Sequence, residues 1–197
     1  MPTRRAFITA GGLALAGLAA PRALGAAPAR SGPAEGGPLE IVMMSDPLGT
    51  AVWFDPLGVY VEPGRTVRWI VHSNVHTTTA YHPRNDHHSL RIPERAEPWD
   101  SRFLVNPGNH FEVTLTVPGV YDYFCAPHEV AGMVGRIVVG RPAGPGALGF
   151  DYFRGRPGTE TWALVPPAAR KAFPSVSAIM QHRIVRRAAA PTGSRLG

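Results

Sequence analysis

Three Pro-Gly pairs, at residues 63–64, 107–108 and 118–119, lie beside short strand-like runs and set the rhythm of this chain. Proline fixes its own φ and removes a backbone donor, and the glycine after it accepts the dihedrals of a tight turn. The runs bounded by such turns are Leu39–Met44, Ala51–Phe54, Gly58–Val61, Thr66–Val71, Phe111–Val117, Val120–Phe124 and Val134–Val139. In Phe111, Val113, Leu115 and Val117 apolar residues alternate with polar ones, the period of a strand with one buried face. Gly (22) and Pro (21) together exceed a fifth of the 197 residues, too much punctuation for a helical bundle. The pattern predicts an all-β domain over residues 38–140, a sandwich or a barrel.

The flanking segments differ in kind. Residues 1–29 open with Arg4 and Arg5, continue through small apolar residues at 10–20 and then offer Ala and Gly cleavage positions. This is the pattern of an export signal, too short for a bilayer span, which takes roughly 20 apolar residues. Thr3-Arg4-Arg5-Ala6-Phe7-Ile8 resembles the twin-arginine signal of proteins exported folded; an ordinary secretory signal holding two arginines is the alternative. The expected compartment is periplasmic or extracytoplasmic, with no stable membrane insertion once the signal is removed. Residues 30–37 form a linker of Pro, Gly and small residues. Residues 82–102 are polar and form a long loop insertion. Residues 141–197 are a C-terminal extension of different composition, its last ten residues expected to be disordered. Within it Pro174–Arg187 places Val176, Ile179, Met180 and Ile184 near one face of a short helix, which either docks a partner or a membrane face or covers part of the sandwich, the latter being favoured.

The net charge of +6 falls to about +3 without Arg4, Arg5 and Arg22, and no basic run with interleaved aromatics suggests a nucleic-acid partner. The single cysteine, Cys125, excludes an internal disulfide. A lone thiol in an exported protein is exposed to oxidation, and metal ligation would remove that hazard.

Cys125, His128 and Met133 stand three and five residues apart between two strand-like runs. One short loop can aim all three at a point. A thiolate and two imidazoles in a plane, with a long axial thioether, are the donors of blue copper sites. A structural zinc site would offer more cysteines and no methionine. The second imidazole comes from His72, His76 or His82. His76 follows a strand-like run and a Ser73-Asn74 turn, where a ligand at a strand end would sit.

Residues 61–80, VEPGRTVRWIVHSNVHTTTA, and residues 106–139, NPGNHFEVTLTVPGVYDYFCAPHEVAGMVGRIVV, resemble the cupredoxins of the plastocyanin, pseudoazurin and amicyanin kind. The resemblance implies a Greek-key β-sandwich and one type 1 copper ion held by His76, Cys125, His128 and Met133. It further implies a one-electron carrier that meets redox partner proteins, here expected as a monomer. The 82–102 loop is longer than in small plastocyanins, and residues 141–197 match nothing in the family.

Other residues admit two readings. Asn74 either braces the loop near the thiolate or is a plain turn residue. His82, His87 and His88 either bind a second metal or belong to a solvated His-rich loop, the latter being favoured. Trp69 and Trp99 are packing residues. Neither a carboxylate pair nor a nucleophile–base set lies near Cys125, which argues against a substrate enzyme. The rival functions are a copper-delivery protein and a fragment of a copper oxidase or nitrite reductase, the last requiring further His-rich motifs.

Overall fold

The computed structural model describes residues 37–188. The export signal at 1–29, all but the last residue of the linker at 30–37, and residues 189–197 lie outside the described residues. The strands are β1 (Leu39–Ser45), β2 (Val52–Asp55), β3 (Gly58–Val61), β4 (Arg65–Val71), β5 (Thr79–Ala80), β6 (His110–Leu115), β7 (Gly119–Phe124), β8 (Val134–Val139) and β9 (Ile184–Val185). Two short helices, α1 (Pro167–Ala172) and α2 (Val176–His182), fall late in the chain. One sheet has the order β2-β1-β4-β6 and the other β5-β7-β8-β3-β9. β1 runs parallel to β4 and β3 parallel to β8, while the remaining pairs are antiparallel. Among the described residues no helix is long and apolar enough to cross a membrane.

Strand alternation builds the core. Ile41 and Met43 of β1, Val67, Trp69 and Val71 of β4, and Tyr121 and Tyr123 of β7 are buried in one cluster between the sheets. Trp69 packs against Trp99 and Tyr123 at ring-centroid distances of 5.4 and 5.3 Å, so both tryptophans are packing residues as expected. Gly135 on β8 is required by this packing: a Cβ there would lie 2.2 Å from the Tyr123 ring.

Strands β7 and β8 are buried along their whole length, on both faces. Their outward residues Phe124 and Val134 pack with Val165, Ala169 and Phe173 of the extension, and Val120 and Val138 pack with Ile179. The extension is therefore a third layer over the second sheet. Sheets buried on both faces carry near-continuous apolar runs, which is the character of both strands apart from Asp122 and Arg136.

The helix expected over Pro174–Arg187 is shorter. α2 starts at Ser175, whose Oγ accepts from the Ala178 N–H, and it ends at Arg183, which has φ 64°. Ile184 then lies in β9 and is half exposed, not on a helix face. The cause is the unpaired edge of β3, which β9 covers through Gly58↔Val185 and Val59↔Ile184. α1 was not foreseen.

The 82–102 segment is irregular, as expected, yet it is not a solvated loop. Ser89, Arg91 and Ile92 are fully buried and Trp99 nearly so. Arg91 Nε donates to Asp122 at 2.7 Å, and Arg136 Nε and Nη2 donate to the same carboxylate at 2.7 and 2.9 Å. This buried triad joins the insertion to β7 and β8. Arg91 also reaches the Gly146 and Leu148 carbonyls, and Arg136 the Pro174 carbonyl, which ties in the extension.

Candidate metal centre

The site lies where β4 and β7 deliver their ends. Beyond β4 the chain turns at Asn74, which is exposed, has φ 66° and accepts the Val75 N–H on its own side chain. Asn74 is thus a turn residue, and the alternative of a brace beside the thiolate fails. His76 follows, fully buried, and exchanges two backbone hydrogen bonds with Leu104 at 2.9 and 3.1 Å. Its Nε2 lies 3.3 Å from Ser45 Oγ, which leaves Nδ1 facing the Cys125 sulfur at 3.6 Å.

Cys125 follows β7 directly, so the alternation that puts Tyr121 and Tyr123 in the core also turns its thiol inward. The segment Ala126–Ala131 is a 3-10 turn. The Cys125 N–H donates to the Met133 carbonyl, the His128 N–H to the Cys125 carbonyl, and the Met133 N–H to the His128 carbonyl. These bonds close the loop on itself. Gly132 has φ 88°, a conformation that favours glycine, and its Cα faces α1, where an added Cβ would lie 3.4 Å from Ala168 and Ala172.

The donor atoms of His76, Cys125 and His128 lie within 4.8 Å of one another. His128 Nδ1 is 3.3 Å from the sulfur, and the two imidazoles meet at 5.1 Å, nearly edge to face. Met133 is fully buried at the end of the same loop. His72 is exposed, and His82 Nδ1 accepts the Arg84 N–H instead, so neither joins the group.

Two features were not read from sequence. The Thr77 N–H donates to Cys125 Sγ at 3.3 Å, and Thr77 Oγ1 accepts the Ala126 N–H at 2.7 Å. One residue thereby fixes both the sulfur and the start of the loop, and its position next to His76 was the available signal. The other is Glu129, buried beside His128 and bonded to Tyr81 and His88. His88 is largely buried there and does not belong to a solvated loop, and His82, His87 and His88 do not gather into a metal group among the described residues.

The electrostatics suit a cation. Burial, then the neighbouring charge of His128, pulls the His76 pKa down to about 4, and burial also lowers that of His128. Both rings are therefore neutral at pH 7 and free to offer lone pairs. Burial pushes the Cys125 thiol up to about 11, against the Thr77 hydrogen bonds that lower it. A buried thiolate needs a positive partner, which a bound metal ion supplies. Two neutral imidazoles, a buried thiol and a buried thioether residue fit a soft-to-borderline ion such as copper.

Residues 42–140 match the family of copper binding proteins, plastocyanin/azurin family. Plastocyanin of Scenedesmus fuscus is 32% identical over 93 residues, 45% of this chain and 88% of that protein. Chloroplastic plastocyanin of Hordeum vulgare is 57% identical over 37 residues, 19% of this chain. That match spans 24% of the barley protein, about a quarter of its length. A pseudoazurin from Sinorhizobium meliltoi aligns over 53% of this chain and 75% of its own, at 33% identity and a TM-score of 0.43. This chain belongs to the plastocyanin/azurin family of copper-binding proteins, and its cofactor is copper. His76, Cys125, His128 and Met133 form a site of the type 1 kind.

Proposed function

We propose that this chain is an exported one-electron carrier in which His76, Cys125, His128 and Met133 would hold one type 1 copper ion. The observation that carries the reading is the convergence of three neutral or ionisable N and S donors on one buried point, within 4.8 Å. Copper bound there supplies a Cu(I)/Cu(II) couple. The chain's own residues do the rest. Buried His76 and Cys125 keep water from the sulfur. Ser45, Thr77 and the closed 126–133 loop hold the donors in place, so little rearranges when one electron is gained or lost.

The residues around His128 favour brief encounters. His128 itself is partly exposed, and Val130, on the same loop, is 73% exposed. Neither the 82–102 insertion nor the extension covers it. Phe103 and Val105, on either side of the Leu104 that pairs with His76, are 64% and 53% exposed. Exposed apolar side chains of this kind fit weak redox contacts, which bury little surface. Val130→Asp is expected to slow electron exchange with a redox partner while leaving the optical spectrum unchanged. Stopped-flow rates equal to wild type would place docking elsewhere.

A copper-delivery role is separated from this one by repeated cycling. A carrier retains its copper through many rounds of reduction and reoxidation in the presence of a Cu(I) chelator. Loss of the metal to the chelator on the first reduction would replace the carrier reading with delivery.

A further inference from the structure

Glu129 directly follows His128, is buried, and has no place in the donor set. Its carboxylate has two partners, both outside the loop. The Tyr81 hydroxyl donates to Oε1 at 2.6 Å, and His88 Nε2 lies 3.0 Å from Oε2. His88 Nδ1 lies 2.7 Å from the Asn85 carbonyl oxygen, which only accepts, so Nδ1 carries a hydrogen. The Nε2–Oε2 contact then takes one more proton, on either atom. With it every polar atom of the trio has a partner.

The same two rings also hold the other flank of the loop. His88 stacks on Phe124 at 4.3 Å with an interplanar angle of 26°, and Tyr81 packs on Phe124 at 4.6 Å. Phe124 is the residue before Cys125. Tyr81 and His88 therefore grip the chain immediately before the thiol, through Phe124, and immediately after the exposed imidazole, through Glu129. The hydrogen bonds of a six-residue 3-10 turn have poorer geometry than those of an α-helix, so contacts from outside the turn add to its rigidity. Moving this one would leave a carboxylate and two ring donors buried without partners, which is costly.

We infer that Tyr81, His88 and Glu129 form a clamp that positions the 125–133 loop, with Glu129 a positioning residue and not a ligand. The inference rests on the reading of Cys125 and His128 as copper ligands. It assigns a role to the 82–102 insertion, the segment from which His88 comes.

The test uses the full chain and two substitutions. In Glu129→Gln the amide oxygen still accepts from Tyr81, and the amide nitrogen donates to a neutral His88 Nε2, so both contacts survive without the charge. Glu129→Ala removes both. The first readout is hydrogen exchange in the metal-free chain at the Gly132 and Met133 amides, which donate to the Glu129 and His128 carbonyls. The second is the electron paramagnetic spectrum with copper loaded. Glu129→Ala is expected to speed exchange at those two amides by roughly tenfold or more, with β4 and β8 at wild-type rates, and to change the copper hyperfine splitting. Glu129→Gln is expected to match wild type in both. Unchanged exchange in Glu129→Ala overturns the clamp, and so does Glu129→Gln failing as badly as Ala, since charge would then be the operative property. If Glu129→Ala does not fold, Tyr81→Phe takes its place: faster exchange confined to Gly132 and Met133 supports the clamp, and unchanged rates overturn it. A wild-type chain without a type 1 spectrum overturns the ligand reading alone, because the exchange measurement is made without metal.

Discussion

Replacing Cys125 by Ser is expected to abolish the thiolate-to-copper charge-transfer colour completely. Cys125 is the chain's one cysteine, so no second sulfur can take its place as a thiolate. Ser would keep the size and the Thr77 N–H contact but offer a hard, weakly acidic oxygen in place of a soft, polarisable donor. His76 and His128 would remain, so copper still binds, more weakly and with a wide hyperfine splitting. His76→Ala should lose the native spectrum as well, because its Nδ1 faces the sulfur at 3.6 Å while Ser45 holds the other nitrogen. His82→Ala should leave the spectrum nearly unchanged, since its ring engages the Arg84 backbone. Optical and electron paramagnetic spectra of the three copper-loaded variants check this. A colourless wild type with stoichiometric copper would sink the type 1 assignment, and loss of colour in His82→Ala would move the ligand into the insertion.

Much of the fold was legible because its signals are local. The Pro-Gly pairs at 63–64 and 107–108 mark turns, whereas at 118–119 the glycine is the first residue of β7, and the β3 and β8 runs have the bounds read from sequence. Other strands differ by one or two residues at their ends, where a strand stops for reasons of pairing that the sequence does not display. β6 ends at Leu115 and not at Val117, because the chain turns toward Pro118 and the Tyr121 hydroxyl takes the Val117 carbonyl as its acceptor. β5 and β9, two residues each, carry no period at all and exist only because β7 and β3 offer them an edge.

The site was legible for a related reason. Cys125, His128 and Met133 are close in sequence, and His76 is placed by the end of a strand. What was hidden was the support that arrives from far along the chain. His88 reads as one of several histidines in a polar stretch, and its burial depends on Phe124 and Glu129, 36 and 41 residues away. Arg91 lies in a polar stretch and Arg136 in a strand-like run, and nothing local in either brings them together on Asp122. Composition reported the insertion as solvated because it counts charges without their partners.

The same triad gives the largest expected loss of stability. Asp122→Ala leaves two arginines facing one another in a buried place, Arg91 with no exposure of its side chain and Arg136 with 8%. Breaking a buried pair by removing one partner costs about 3–5 kcal/mol, because the remaining charge has been taken out of water without compensation. Here one carboxylate answers two guanidinium groups, so the cost belongs at or above the top of that range. The carbonyls of Gly146, Leu148 and Pro174, and the rings of Phe150 and Phe173 under the guanidinium groups at 4.2 and 4.9 Å, soften it only in part. These are also the contacts by which the extension is held, so its packing over β7 and β8 should loosen with the triad. Asp122→Asn should be milder, since the amide oxygen still accepts one bond, but it returns no charge. Urea unfolding of the metal-free chain should place the midpoints in the order wild type, Asp122→Asn, Asp122→Ala. Fluorescence of Trp162, which packs on Phe153 within the extension at 5.4 Å, should report the loosening at lower urea than the strands do. An Asp122→Ala midpoint within error of wild type would mean that the two arginines find water or other acceptors, and that the extension is held by its apolar contacts alone.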